Sequence, residues 1–131
     1  MDNAYPHLFS PFQLAGKSLK NRVVHAAINA HFGAETGLKE GQIHYYANRA
    51  RGGAAMVVGE AVGIAPHQGN SRVCAWNDSM VGDLARWADA VEREDCRLLA
   101  QVQDSGRGRH GPGRNDNAIG ASALPDDLSW T

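Results

Sequence analysis

Short apolar runs alternate with helix-period segments between residues 22 and 103 of the chain. The runs occupy 22–27, 54–61 and 97–103, and each holds the aliphatic residues typical of a strand. Strands and helices in strict alternation predict an α/β fold with a parallel sheet. The middle run is apolar on both faces, as expected of a strand buried between two layers.

The two segments between these runs carry apolar residues at helical spacing. The first face comprises Ile43, Tyr46, Ala47 and Ala50, and Gly52-Gly53 follows as a helix stop. The second segment begins after Asn77 or Asp78, either of which can cap it, and its stripe comprises Met80, Val81, Leu84, Trp87, Ala88 and Val91. Each strand is therefore expected to lead into the next through one helix.

Both ends of the chain depart from this pattern. Residues 8–21 alternate apolar and polar around Ala15-Gly16, which predicts a small hairpin or lid. Residues 105–131 are rich in Gly, Asn, Asp and Pro and predict a loop. Three parallel strands with helices on one side leave two edges unpaired and one face uncovered, so we expect an opening segment of a larger domain.

Composition excludes several classes of protein. The chain has 131 residues and a net charge of -1, too little positive charge to hold nucleic acid mainly through phosphate contacts. It contains no run of roughly 20 apolar residues and no secretion signal, which predicts a cytoplasmic protein without membrane contact. The six histidines include no i, i+4 pair, so no metal site is expected.

The residues at the predicted strand ends suit a flat heteroaromatic ligand. In parallel α/β folds ligands gather at the carboxyl ends of the strands. Small residues and amides stand there in this chain, at 26–31, 60–61 and 101–107. Ordinary loop-facing polar residues explain the same pattern equally well. Residues 106–111 match G-x-G-x-x-G, but they open no helix, which argues against a dinucleotide-binding fingerprint.

Four stretches of the chain resemble one family. They are Leu8–Pro11 with Leu19–Val24, then Tyr45–Ala54, Glu60-Ala61 with Pro66, Gln68 and Gly69, and finally Gln101–Arg107. In order and spacing they are similar to the N-terminal part of the FMN-dependent NADH:flavin oxidoreductases, the Old Yellow Enzyme group. The resemblance implies a partial TIM (β/α)8 barrel over 1–131, with a hairpin or lid at 8–21, a βαβαβ unit at 22–104 and a loop at 105–131.

The resemblance also implies a set of FMN contacts. Ala27, Ile28 and Ala61 would offer backbone groups to the flavin, and Gln101 would bond its pyrimidine edge through an amide that both donates and accepts. Asn29 falls where the family has a Thr or Cys that tunes the flavin, and His31 falls near the substrate side. Asn29 and His31 are therefore the catalytic candidates, although the catalytic residues themselves are not identified.

The family implies hydride transfer between NAD(P)H, or an amine substrate, FMN and an acceptor, with a small molecule as substrate. Asp104 stands where the family signature has His. Ala27 stands where the family has Pro, and Asn29 where it has Thr or Cys, which suggests a side branch acting on amines or methylated amino acids rather than enones. A full barrel takes about 250 residues. Because this chain is shorter, we expect it either to form a homo-oligomer or to associate with the missing segment of the barrel. Two alternatives stay open: a non-catalytic or split-barrel subunit that needs a partner chain, and a flavin-binding module without turnover.

Overall fold

A computed structural model describes residues 4–30, 37–66, 73–104, 106 and 120–122 of the chain. Its strands and helices, in chain order, are β1 (Phe12–Leu14), β2 (Lys17–Leu19), β3 (Val24–His25), α1 (Glu40–Arg51), β4 (Met56–Gly63), α2 (Val81–Glu92) and β5 (Arg97–Gln103). A short 3-10 helix, Asp78–Met80, leads into α2. Of the loop predicted over 105–131, only residues 106 and 120–122 lie in the described part.

The main sheet has three parallel strands in the order β3-β4-β5. The predicted parallel sheet is confirmed, and β5 has the predicted bounds. The first predicted strand, 22–27, is too long, because only Val24 and His25 pair with β4 and the chain then leaves the ladder.

The middle strand begins and ends two residues later than the predicted 54–61. Ala54 belongs to the turn after α1, since its amide bonds the carbonyl of Arg49. At the other end, Gly63 is held by backbone hydrogen bonds from its amide to Val73 and to its carbonyl from Ala75. Pairing of Val62 with Val102 and of Gly63 with Gln103 extends β4 beyond its predicted end.

A β-bulge interrupts the pairing of β4 with β5. Val58 pairs with Leu99 and Ala61 pairs with Gln101, so β4 has one residue more than β5 in this interval. Within the bulge, Gly59 lies under the indole of Trp87, and a Cβ built on Gly59 would stand 2.6 Å from Trp87 Cζ2. The helix layer thus presses on the strand backbone where a side chain would not fit.

The core lies between the sheet and its two helices. All four residues of the predicted α1 face are buried, and Tyr46 is fully so. In α2 the buried residues are Trp87 and Val91. Val81 was predicted in the same stripe, yet 59% of it is exposed. It is the first residue of α2, and the buried residues of this helix lie in its central and last turns.

The predicted hairpin is present as β1 and β2, which pair antiparallel. Its turn is made by Ala15 (φ 47°) and Gly16 (φ 75°), the positive-φ pair of a tight two-residue hairpin. Leu19 packs against Ala55 and Met56 in a small buried cluster. The hairpin therefore closes the amino-terminal end of the sheet.

In the part of the chain that the structure describes, the opposite face of the sheet is largely exposed. Val24 is 44% exposed and Leu99 is 43% exposed, whereas Val57 and Leu98, on the other face, contact the helices. Both edge strands, β3 and β5, have one unpaired side among the described residues. In the described part of the chain, no helix is long and apolar enough to cross a membrane.

Candidate functional site

A cleft of about 370 Å³ lies at the carboxyl ends of the three parallel strands. Its volume falls in the usual range for small-molecule sites. The residues that line it are Ala27, Ile28, Asn29, Ala61, Gln101, Val102 and Gln103. The structure thus brings together all five residues predicted from the sequence to contact a cofactor. The sixth site candidate, His31, lies outside the described residues.

The sheet itself assembles this cleft. After His25 the chain leaves the β3–β4 ladder, and residues 26–30 run on as irregular backbone. Ala61 and Gln101 are direct partners in the β4–β5 register, immediately beyond the bulge. Two neighbouring strands and the segment after a third therefore meet at one edge.

The chemistry of the lining suits a flat, polar ring. Ala27 and Ala61 are small, so a planar ligand can approach the backbone beside them. Asn29, Gln101 and Gln103 carry amides, each of which can donate and accept hydrogen bonds. None of the lining residues carries a formal charge. An isoalloxazine ring, with its ring nitrogens and carbonyls, fits this donor set.

Gln103 was not among the predicted site residues, although it lines the same cleft as Gln101. The signal was present in the sequence. Residues i and i+2 of a strand share one face, so the predicted strand 97–103 already places Gln103 on the same face as Gln101.

Tyr46 connects two backbone segments beside the cleft. Its hydroxyl donates to the carbonyl of Ile28 at 3.2 Å and accepts from the amide of Glu60 at 2.9 Å. Burial, followed by the nearby Glu60 carboxylate, raises the pKa of Tyr46 well above its ordinary 10.0, so the hydroxyl stays protonated. Helical spacing predicts Tyr46 on the buried face of α1 but gives no sign of these bonds, because both partners are backbone groups distant in sequence.

Asp104, which departs from the family signature, has a local structural role. Its carboxylate accepts a hydrogen bond from the amide of Gly106 at 2.7 Å and so stabilises the turn after β5. Asp104 is exposed and is not among the cleft residues. Across the described residues, no group of three or more His, Cys, Asp or Glu side chains is placed to hold a metal ion.

Residues 7–129 match the family model described as the NADH:flavin oxidoreductase / NADH oxidase family. The chain belongs to this family. The match spans the hairpin, both helices and all three parallel strands, and so confirms the resemblance drawn from the sequence.

Curated proteins of this family give similar matches. The chain is 31% identical over 124 residues to a metal reductase of Desulforamulus reducens, covering 93% of the chain and 18% of that protein. It is 28% identical over 125 residues to an NADPH dehydrogenase of Bacillus licheniformis, covering 92% of the chain and 36% of that protein. The chain therefore spans well under half the length of these relatives.

Solved structures agree on the fold. Morphinone reductase superposes with a TM-score of 0.79 at 26% identity, covering 98% of this chain and 35% of its own. Histamine dehydrogenase from Rhizobium sp. 4-9 superposes with a TM-score of 0.77 at 22% identity, covering 95% and 19%. The hairpin, two helices and parallel sheet form part of a TIM barrel. The described residues do not close it.

Proposed function

We propose that the chain binds FMN and contributes to an oxidoreductase that transfers hydride through this cofactor. The observation that supports the proposal is the meeting of Ala27, Ile28, Asn29, Ala61 and Gln101 in one cleft at the carboxyl ends of the strands. These five residues come from three separate parts of the chain. Family membership adds that the related proteins are flavin oxidoreductases.

Each residue has a distinct part in this proposal. The backbone beside Ala27, Ile28 and Ala61 lies against the ring, and the small alanine side chains permit that approach. The Gln101 amide bonds the pyrimidine edge, and the Asn29 amide donates near the carbonyl that a Thr or Cys contacts elsewhere in the family. Bound FMN would supply hydride acceptance and release, while the protein orients the ring.

The electron donor we propose is NADH or NADPH. Relatives named NADH oxidase, from Thermoanaerobacter brockii, and NADPH dehydrogenase, from Bacillus cytotoxicus, support it. An amine is the alternative donor, since another relative, from Chromohalobacter salexigens, is named an N,N-dimethylglycine/sarcosine dehydrogenase. His31 is retained as a candidate for the substrate side.

The test is FMN titration of the wild-type protein and the Gln101→Ala variant, followed by flavin fluorescence and absorbance. Loss of the amide's hydrogen bonds is expected to raise the dissociation constant by roughly fivefold to thirtyfold. The matched control is Gln13→Ala, the same change in strand β1 of the hairpin, which should leave binding unaltered. Equal binding by wild-type and Gln101→Ala would remove Gln101 from the site.

The open face of the sheet favours a second candidate, in which the cleft works only when further strands cover Val24 and Leu99. Those strands would belong to the same polypeptide or to a partner chain. Size-exclusion chromatography of the protein mixed with FMN distinguishes the two candidates. A yellow monomer of 14 kDa supports a self-sufficient flavin-binding module. Flavin retained only by an assembly, or only after a complementing chain is added, supports the second candidate.

A further inference from the structure

We propose that Tyr46 is a positioning residue for the cleft: its hydroxyl holds the Ile28 carbonyl and the Glu60 amide at the distances that align the two backbone segments bordering the ligand. This inference rests on the proposed flavin function and adds a residue outside the lining of the cleft.

The bond to Glu60 completes the bulge in β4. A bulge leaves a residue outside the regular ladder, and a backbone donor within it needs another partner. Glu60 lies between Val58 and Ala61, in the interval where the register shifts. Its amide donates to the Tyr46 hydroxyl at 2.9 Å. Tyr46 therefore stabilises the distorted strand at the residue directly before Ala61.

The bond to Ile28 fixes the orientation of a peptide unit that lines the cleft. Because the Ile28–Asn29 peptide is trans, its carbonyl and its amide N–H point in opposite directions. The carbonyl accepts from Tyr46, on the α1 side, at 3.2 Å. The Asn29 N–H is therefore directed away from α1. The hydrogen bond to the Ile28 carbonyl therefore also fixes the direction of the backbone N–H of Asn29.

The Tyr46 ring has little freedom to move its hydroxyl. Its side chain is fully buried. Its ring meets Tyr45 edge-on at 5.0 Å and His25 edge-on at 6.0 Å between centroids, and it packs against Trp87 at 5.1 Å. A phenol held by three aromatic rings is a rigid link between the two segments. A ligand that needs both segments in place gains affinity from this preorganisation.

The experiment compares the wild-type protein with Tyr46→Phe, which keeps the ring and its packing but removes both hydrogen bonds. Two quantities are measured: amide hydrogen exchange at Glu60, without ligand, and FMN affinity with the visible absorption spectrum of the bound flavin. We expect exchange at Glu60 to rise about tenfold and the FMN dissociation constant to rise about fivefold to tenfold. We also expect a shift of the flavin bands, because the altered backbone changes the polar groups around the ring.

Tyr45→Phe is the matched control, since it removes the neighbouring hydroxyl of the same helix and leaves both bonds of Tyr46 in place. It should exchange at Glu60 and bind FMN as the wild-type protein does. A Tyr46→Phe variant with faster exchange at Glu60 but unchanged affinity and spectrum would overturn the proposal, because the hydroxyl would then serve folding alone. Unchanged exchange would overturn it as well.

Two further outcomes are distinguishable. If the wild-type protein binds no FMN, the proposed function fails and the positioning role of Tyr46 for that ligand fails with it, whereas exchange at Glu60 still shows whether the hydroxyl holds the β4 backbone. If Tyr46→Phe does not fold, the wild-type protein still gives the answer by NMR. A resolved Tyr46 hydroxyl proton with a cross-peak to the Glu60 amide proton is then expected, and its absence from a folded protein would contradict the proposed link.

Discussion

Gly59 shows how a single position couples the helix layer to the cleft. The Trp87 indole occupies the space that a side chain at Gly59 would need. The same glycine lies in the bulge that places Ala61 opposite Gln101. The packing of α2 and the geometry of the cleft therefore both depend on the absence of a side chain at Gly59.

Gly59→Ala is expected to destabilise the protein by about 1–3 kcal/mol, because the new methyl group overpacks the core and Trp87 must move. Thermal or urea unfolding followed by tryptophan fluorescence measures the effect. The control is Gly82→Ala in α2, where a Cβ meets no atom within 4 Å. Alanine is the better helix former by up to about 1 kcal/mol, so this variant should be as stable as the wild-type protein or slightly more stable. Equal stability of both variants would contradict the tight contact at Gly59.

At the scale of elements, Asn21 joins the hairpin to the sheet. It is buried, and its side-chain amide donates to the Gly53 carbonyl at 2.8 Å while its side-chain oxygen accepts from the Val23 amide at 2.9 Å. One side chain thereby connects the end of the hairpin, the turn after α1 and the start of β3. This connection gives a structural reason for an asparagine in the stretch that resembles the family.

Asn21→Ala is expected to cost about 1–3 kcal/mol, since it leaves the partly buried Gly53 carbonyl and Val23 amide without their partner. Chemical unfolding measures the loss, and hydrogen exchange should locate it at β3 and the hairpin. Ser18→Ala, a change at an exposed residue of β2, is the control and should stay within about 0.5 kcal/mol of the wild-type protein. A similar loss in both variants would show that Asn21 has no special part in holding the hairpin.

The sequence predicted the elements well and their irregularities poorly. The spacing of apolar residues predicted the buried face of α1 and the bounds of β5, because both depend on local sequence. It did not predict the bulge in β4 or the short β3, because pairing with another strand decides both. For the site, the strand-end ranges 26–31, 60–61 and 101–107 contain all seven cleft residues, and the family resemblance singled out five of them. The hydrogen bonds of Tyr46 beside the cleft were not predicted, since its partners are backbone groups 14 and 18 residues away.

At the scale of the whole molecule, the described residues form a sheet with one face packed against helices and one face substantially exposed. The helices cover one face of the sheet with a core that includes Trp87, Tyr46 and Val91. Leu99 and Val24 face away from it and are substantially exposed. The cleft lies at one end of this asymmetric sheet, so global stability is set mainly by the helix-covered side.

Cys96 makes that stability depend on pH. Burial raises the pKa of the Cys96 thiol from its ordinary 9.0 to about 11. Between these values the unfolded state has released the proton that the folded state keeps, so stability present below about pH 9 is lost as pH rises towards 11. The gap in unfolding free energy between the wild-type protein and Cys96→Ala should therefore shrink across this window, by on the order of 2 kcal/mol. Between pH 7 and 8 the gap should stay constant, and a constant gap up to pH 11 would contradict the shift.

The extra residue in β4 shifts the in-and-out alternation of side chains within a single strand. Up to Val58 the alternation of side chains follows helix packing, and from Ala61 onward a new alternation begins opposite Gln101. The side chains of the two halves of the strand therefore do not follow one continuous alternation. Deletion of one residue at the bulge would therefore reverse which side chains the second half of the strand offers to a ligand.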